Sequence, residues 1–130
     1  MINLTPEQLN TLAKERLDDA KALYAAGRYE GAFYICGYAL EMKLKCVICK
    51  TLGWDEYPGD GKEKNKSFKT HKFDDLLHLS GVEKRVRATL IAEWSIVVKW
   101  DPEIRYSSGR QTAEDVKLVI EAAETLLAKL

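Results

Sequence analysis

The residues of this chain that could do chemistry are few and concentrated. The stretch YICGYALEMKLKCVICK, residues 34–50, is apolar enough for the middle of a helical protein, yet it carries Glu41, with Lys43 and Lys45 behind it and Tyr34 and Tyr38 ahead. At about 100° per residue, Tyr34, Tyr38, Glu41 and Lys45 fall within roughly 60° of one another on a helix. Glu41 and Lys45 stand four apart with the acid first, the favourable order. Two readings of this stripe are open. It can be an exposed polar face with one ion pair worth about 0.3–0.5 kcal/mol. It can also be a half-wet seam, at a subunit interface or a ligand cleft, in which Tyr hydroxyls and Glu41 make defined hydrogen bonds. The other residues of the segment wrap apolar side chains around well over half of the helix, more than the single stripe a surface helix needs. That width favours a helix covered on more than one side.

A second candidate is WDPEIRYSSGR, residues 100–110. Arg105, Tyr106 and Arg110 could hold a phosphate and stack a base, or Arg105 could pin a loop to the open carbonyls of a helix end. Lys84, Arg85 and Arg87 form a small basic patch. His71 and His78 are seven apart, on one helical face but too distant to share a metal, for which a spacing of four is the useful one. Cys36, Cys46 and Cys49 lie in one apolar segment, and an odd count there argues against a disulfide framework. The pair Cys46 and Cys49 lacks the two further ligands that zinc needs, so all three read as buried thiols. No serine sits in a Gly-x-Ser-x-Gly context, and neither GDG nor SSGR resembles a phosphate-binding loop.

The elements that would carry these residues are helices. Thr5, Pro6 and Gln8 form an N-cap, a first-turn proline and a capping box. Leu9, Leu12, Ala13, Leu17, Ala20 and Leu23 follow at helical spacing, and Gly27 closes the helix. A second helix is expected over Tyr29–Leu52, stopped by Gly53. Residues 53–69, rich in Gly, Asp and Lys, read as a long solvated linker. A short helix follows over His71–Leu79, then a long one over Val82–Trp100, ended by Asp101-Pro102. Thr112 caps a last helix with Asp115 at its third position. No useful alternation of period two appears, so no sheet is expected. The pattern predicts one all-α domain over residues 1–130: an up-and-down bundle of four main helices plus one short helix.

Composition narrows the partners. Twenty basic and twenty acidic residues leave a formal net charge of zero, which argues against non-specific nucleic-acid binding through a basic field. Apolar residues at 46 % and charged residues at 31 % are ordinary for a soluble domain. No apolar run reaches the roughly 18 residues of a membrane span. The opening MINLTPEQLN lacks the basic and apolar regions of a secretory leader, so the expected compartment is the cytoplasm.

The order of segments resembles the HEPN family, the higher-eukaryote and prokaryote nucleotide-binding domains. The resemblance rests on YAAGRYEGAFYICGYALEMKLKCVI as the paired first helices, THKFDDLLHLSG as a His-containing third helix, a long helix ending in Trp, IRYSS, and a capped final helix. It implies a helical bundle, commonly a homodimer. It also implies a prokaryotic setting beside a nucleotidyltransferase partner protein, as in toxin–antitoxin pairs. Active members are metal-independent ribonucleases marked by an Arg followed, after about four to six residues, by a His. That signature is absent here: Arg110, Gln111 and Thr112 hold the positions after Arg105, and neither Arg85 nor Arg87 is followed by a His. The expectation is a non-catalytic, dimeric HEPN-like protein with no metal or cofactor. It would bind a partner protein, a nucleotide or RNA through Arg105, Tyr106 and Arg110, with Tyr34, Tyr38, Glu41 and Lys45 along the seam. The alternative is a divergent ribonuclease in which the fold brings His71 or His78 to Arg105, since a general base needs hydrogen-bond reach and not adjacency in sequence.

Overall fold

A computed structural model of the chain describes residues 4–58, 68, 70–100 and 111–130. The described residues are mostly helical and contain no strand, only an isolated antiparallel bridge between Leu4 and Tyr57. None of their helices is long and apolar enough to cross a membrane.

Helix α1, Pro6–Ala25, starts as its sequence dictates: Thr5 Oγ1 accepts from the Gln8 amide at 3.1 Å and Gln8 Oε1 accepts from the Thr5 amide at 2.9 Å. Helix α2, Tyr29–Leu52, ends at Gly53, whose φ of 68° is the left-handed cap that favours glycine. It is the axis of the molecule. It packs along α1 and also meets the helices that follow, α3 (Phe73–Ser80) and α6 (Ala113–Lys129). Its buried residues, among them Ala32, Phe33, Cys36, Leu40, Leu44 and Ile48, are spread around the helix. The wide apolar arc is thus covered by the chain itself and needs no second subunit to cover it.

Three expectations are corrected. Helix α3 begins at Phe73, two residues after His71. Thr70 Oγ1 accepts from the Lys72 amide at 3.1 Å and donates to Asp75 at 3.1 Å, which holds His71 and Lys72 outside the helix. The single helix expected over Val82–Trp100 is two, α4 (Glu83–Thr89) and α5 (Ile91–Val97), broken at Leu90. Just before the break, the Thr89 hydroxyl bonds back to the Arg85 carbonyl at 2.8 Å, a contact that bends helices. The bend leaves Val86, Leu90, Trp94 and Val97 all buried. Finally, the described ends of the 53–69 loop are anchored to the fold through their aromatic residues, although Gly53, Asp55 and Glu56 are exposed. Tyr57 is 6 % exposed, its amide donates to the Leu4 carbonyl at 2.8 Å, and its hydroxyl donates to the Phe68 carbonyl at 2.7 Å. The Trp54 ring closes on Phe68 with centroids 4.8 Å apart.

Beyond α5, Trp100 turns back into the core. Its indole N–H donates to the Phe33 carbonyl at 3.1 Å, and its ring stacks on Phe73 at 5.2 Å and 8°. The same ring lies on Gly37 of α2, where an added Cβ would come within 1.8 Å of its Cε2. A glycine inside a long helix is therefore a packing requirement. Helix α6 completes the core with Val116, Val119, Ile120, Ala123 and Leu126, behind its Thr112 cap.

Gly37→Ala is expected to destabilise the protein by about 1–3 kcal/mol through overpacking, seen as a lower urea midpoint. Gly31→Ala, whose Cβ would meet Leu23 at an ordinary 3.6 Å, is expected to be neutral or to gain about 0.5 kcal/mol. A stabilised Gly37→Ala protein would show that Trp100 does not sit on α2.

Candidate functional site

The α2 stripe is a half-buried seam around a buried Glu41, which overturns its reading as an exposed polar face. Glu41 is 1 % exposed. Its Oε2 accepts from Lys45 Nζ at 2.9 Å, and its Oε1 lies 2.9 Å from His71 Nδ1. The Lys45 side chain is itself 15 % exposed, and its ammonium lies over the Tyr57 ring, 5.2 Å from the centroid. Three stretches supply these groups: one turn of α2, the strap around Tyr57, and the extended residues before α3. A buried carboxylate carries a large desolvation penalty unless a counter-charge and hydrogen bonds offset it, and here one cation and one imidazole do so. Lys43, also on α2, reaches instead to Asn10 of α1 at 2.7 Å.

An aromatic row leads along α2 to the same place. Tyr34 and Tyr38 meet edge to face at 5.1 Å, with their hydroxyls 3.5 Å apart. The Tyr38 ring meets Trp100 at 5.1 Å and His71 at 6.3 Å. Beside this row lies a cavity of about 250 Å³, walled by Leu9, Tyr38, Met42 and Tyr57 and bounded on one side by Glu41, Lys45 and His71. His71 is half exposed, so it stands where the cavity meets solvent.

The remaining candidates lie elsewhere. Arg105, Tyr106 and Arg110 fall outside the described residues. His78 sits 3.3 Å from Glu83 Oε1 and is largely exposed, so the Glu41 site takes His71 and not His78. Arg87 bonds Glu83 at 3.0 Å and pairs with Asp74 at 3.5 Å, while Arg85 donates to the Lys129 carbonyl at the end of α6. The basic patch is thus largely engaged within the fold. Hydrogen bonds from Arg87 and then His78 hold the Glu83 carboxyl below its ordinary range. All three cysteines are buried and free. Burial pushes the Cys36 thiol up to about 12, and burial with neighbouring Cys46 pushes Cys49 up to about 11. Thiols that remain protonated are neither nucleophiles nor metal ligands, and the described residues contain no metal-binding group of His, Cys, Asp and Glu.

Helical spacing brings out the Glu41–Lys45 pair. It does not bring out His71, thirty residues on, or Tyr57. The only local sign of Tyr57 is an aromatic residue within a Gly- and Asp-rich loop.

No protein-family model matches the chain, and no curated protein or solved structure matches it. The chemistry open to the site follows from its own groups: a flat-walled apolar cavity, an ammonium donor, and an imidazole oriented by a buried carboxylate.

Lys45→Met leaves the Glu41 charge with only a half-exposed imidazole and is expected to cost about 3 kcal/mol. The double variant Glu41→Gln/Lys45→Met should recover most of that loss in a double-mutant cycle. A single-variant loss below about 1 kcal/mol would place the pair among solvated surface bridges. Ellman's reagent is expected to label no thiol rapidly in the native protein and all three in guanidinium; a fast native phase would contradict the burial of the cysteines.

Proposed function

We propose that this chain is a HEPN-like helical bundle that binds a nucleotide or RNA at the Glu41 cavity without catalysing a reaction. One observation carries the reading: an apolar cavity with Tyr38 and Tyr57 in its walls and Glu41, Lys45 and His71 on one side. Aromatic walls stack bases, and a few convergent polar groups fix their orientation. The zero net charge fits a site that works by contact and not by a basic field. With α4 and α5 taken as one broken rod, the chain has four main helices, α1, α2, α4–α5 and α6, and a short α3, a count that supports the up-and-down bundle the resemblance implies. Under the same reading the protein is a homodimer that works beside a nucleotidyltransferase-type partner in a toxin–antitoxin or defence pair, and Arg105, Tyr106 and Arg110 contact phosphate or the partner.

One observation favours a second reading, a divergent metal-independent ribonuclease. Glu41 holds His71 by Nδ1, and this orients the ring for general-base work through its other nitrogen. Arg105 would then serve as its partner at the phosphate.

Both readings are tested with labelled single-stranded RNA and metal-free protein. Tyr38→Ala is expected to weaken binding by about 1–3 kcal/mol, the worth of one stacked base, and the cavity-filling Met42→Trp to weaken it at least as much, with helical circular dichroism retained. RNA that binds Met42→Trp as it binds the wild type would take the cavity out of the reading. Intact RNA after long incubation supports the first reading. Cleavage that is lost in His71→Ala and kept in His78→Ala would replace it with the second. A strict monomer by light scattering at micromolar concentration would remove the dimer.

A further inference from the structure

The Glu41 wall is a hydrogen-bond pattern as well as a neutralised charge. Glu41 Oε1 lies 2.9 Å from His71 Nδ1. An ionised carboxylate only accepts, so Nδ1 carries the proton, and in a neutral ring the other nitrogen, Nε2, is then an acceptor. Among the described residues Nε2 has no hydrogen-bond partner. Lys45 commits one N–H to Glu41 Oε2 and retains two more. Both residues bond the same carboxylate and both line the cavity, so its lining carries an acceptor and a donor. With Glu41 and Lys45 cancelling, that wall has no net charge to draw an anion. The other walls, Leu9, Met42 and Pro58 with the two Tyr rings, are apolar or flat. At about 250 Å³ the cavity lies below the ~300–1,000 Å³ of ordinary ligand pockets, enough for one ring system and not for a whole nucleotide.

We infer that the cavity takes a flat heterocycle with a cis-amide edge, an N–H beside a C=O, as in a lactam or imide ring. The ligand N–H donates to His71 Nε2 and its C=O accepts from Lys45 Nζ, while the ring lies against Tyr38 and Tyr57. Glu41 is the positioning residue: it fixes the tautomer of His71 and the place of the Lys45 ammonium. The ring can belong to a free lactam or to the base of a nucleotide. The assignment rests on the cavity being the binding site of the proposed function.

Two measurements test it. In ligand-free protein at about pH 8.5, above the usual histidine range, nitrogen-15 NMR should show His71 as the Nδ1–H tautomer. An Nε2–H ring overturns the pattern before any ligand is added. Titration with 2-pyridone and with uridine should then shift the His71 signals, and N-methyl-2-pyridone, which lacks the N–H, should bind at least tenfold more weakly. Uridine tighter than 2-pyridone supports the edge and identifies a nucleotide base as its source; equal affinity supports the edge and identifies a free lactam. N-methyl-2-pyridone binding as well as 2-pyridone, adenosine binding as well as uridine, or no shift from either lactam overturns the assignment. RNA that binds Met42→Trp unchanged would defeat the proposed function, yet it leaves the tautomer and lactam results to stand or fall by themselves.

Discussion

A carboxylate buried in the middle of a 24-residue helix dictates much of what surrounds it. Glu41 is tolerated in the core only because a cation and an imidazole meet its two oxygens. Lys45 comes from the next turn of the same helix. The imidazole comes from outside the helix, and so the chain before α3 must run back across α2. The strap that carries Tyr57 over the Lys45 ammonium removes that cation from water as well. Three stretches far apart in sequence thus converge to satisfy one charge, and their convergence encloses the cavity.

The hydrophobic packing holds this arrangement in register. Trp100 lies on Gly37, bonds the Phe33 carbonyl and stacks on Phe73, the first residue of α3. His71 stands two residues before Phe73. The ring that locks α2 therefore also locates the segment that delivers the imidazole, and Tyr38 touches both. Such rigidity suits a preorganised site, in which binding need not be offset by the ordering of loose side chains.

The electrostatics set this site apart from a surface that attracts nucleic acid by charge alone. The chain carries no net charge, and the arginines of its small basic patch are held by Glu83, Asp74 and the end of α6. Under the proposed reading, affinity at the cavity comes from stacking and from a short pattern of donors and acceptors, interactions that salt screens little. The cysteines take no part: burial raises Cys36 and Cys49 far above neutral pH and leaves them as small core side chains.

What the sequence by itself determined is what short-range physics determines. The Thr5 and Thr112 caps, the Gly53 stop and the span of α2 depend on neighbours within about one helical turn, and all stand as read. The Glu41–Lys45 pair belongs to the same class, since a spacing of four is a local fact. Tertiary structure alone decided the burial of that pair, because burial depends on which segments pack over it. It alone joined His71 to Glu41, seated Trp100 on Gly37, and drew Tyr57 from an apparent linker into the core. The break at Leu90 is the mixed case: the run has no Pro or Gly, the Thr89 bond to the Arg85 carbonyl is local, and the bend leaves Leu90 and Trp94 both in the core. Each of the other contacts spans many residues of sequence, and no periodicity within a single helix can encode its partner.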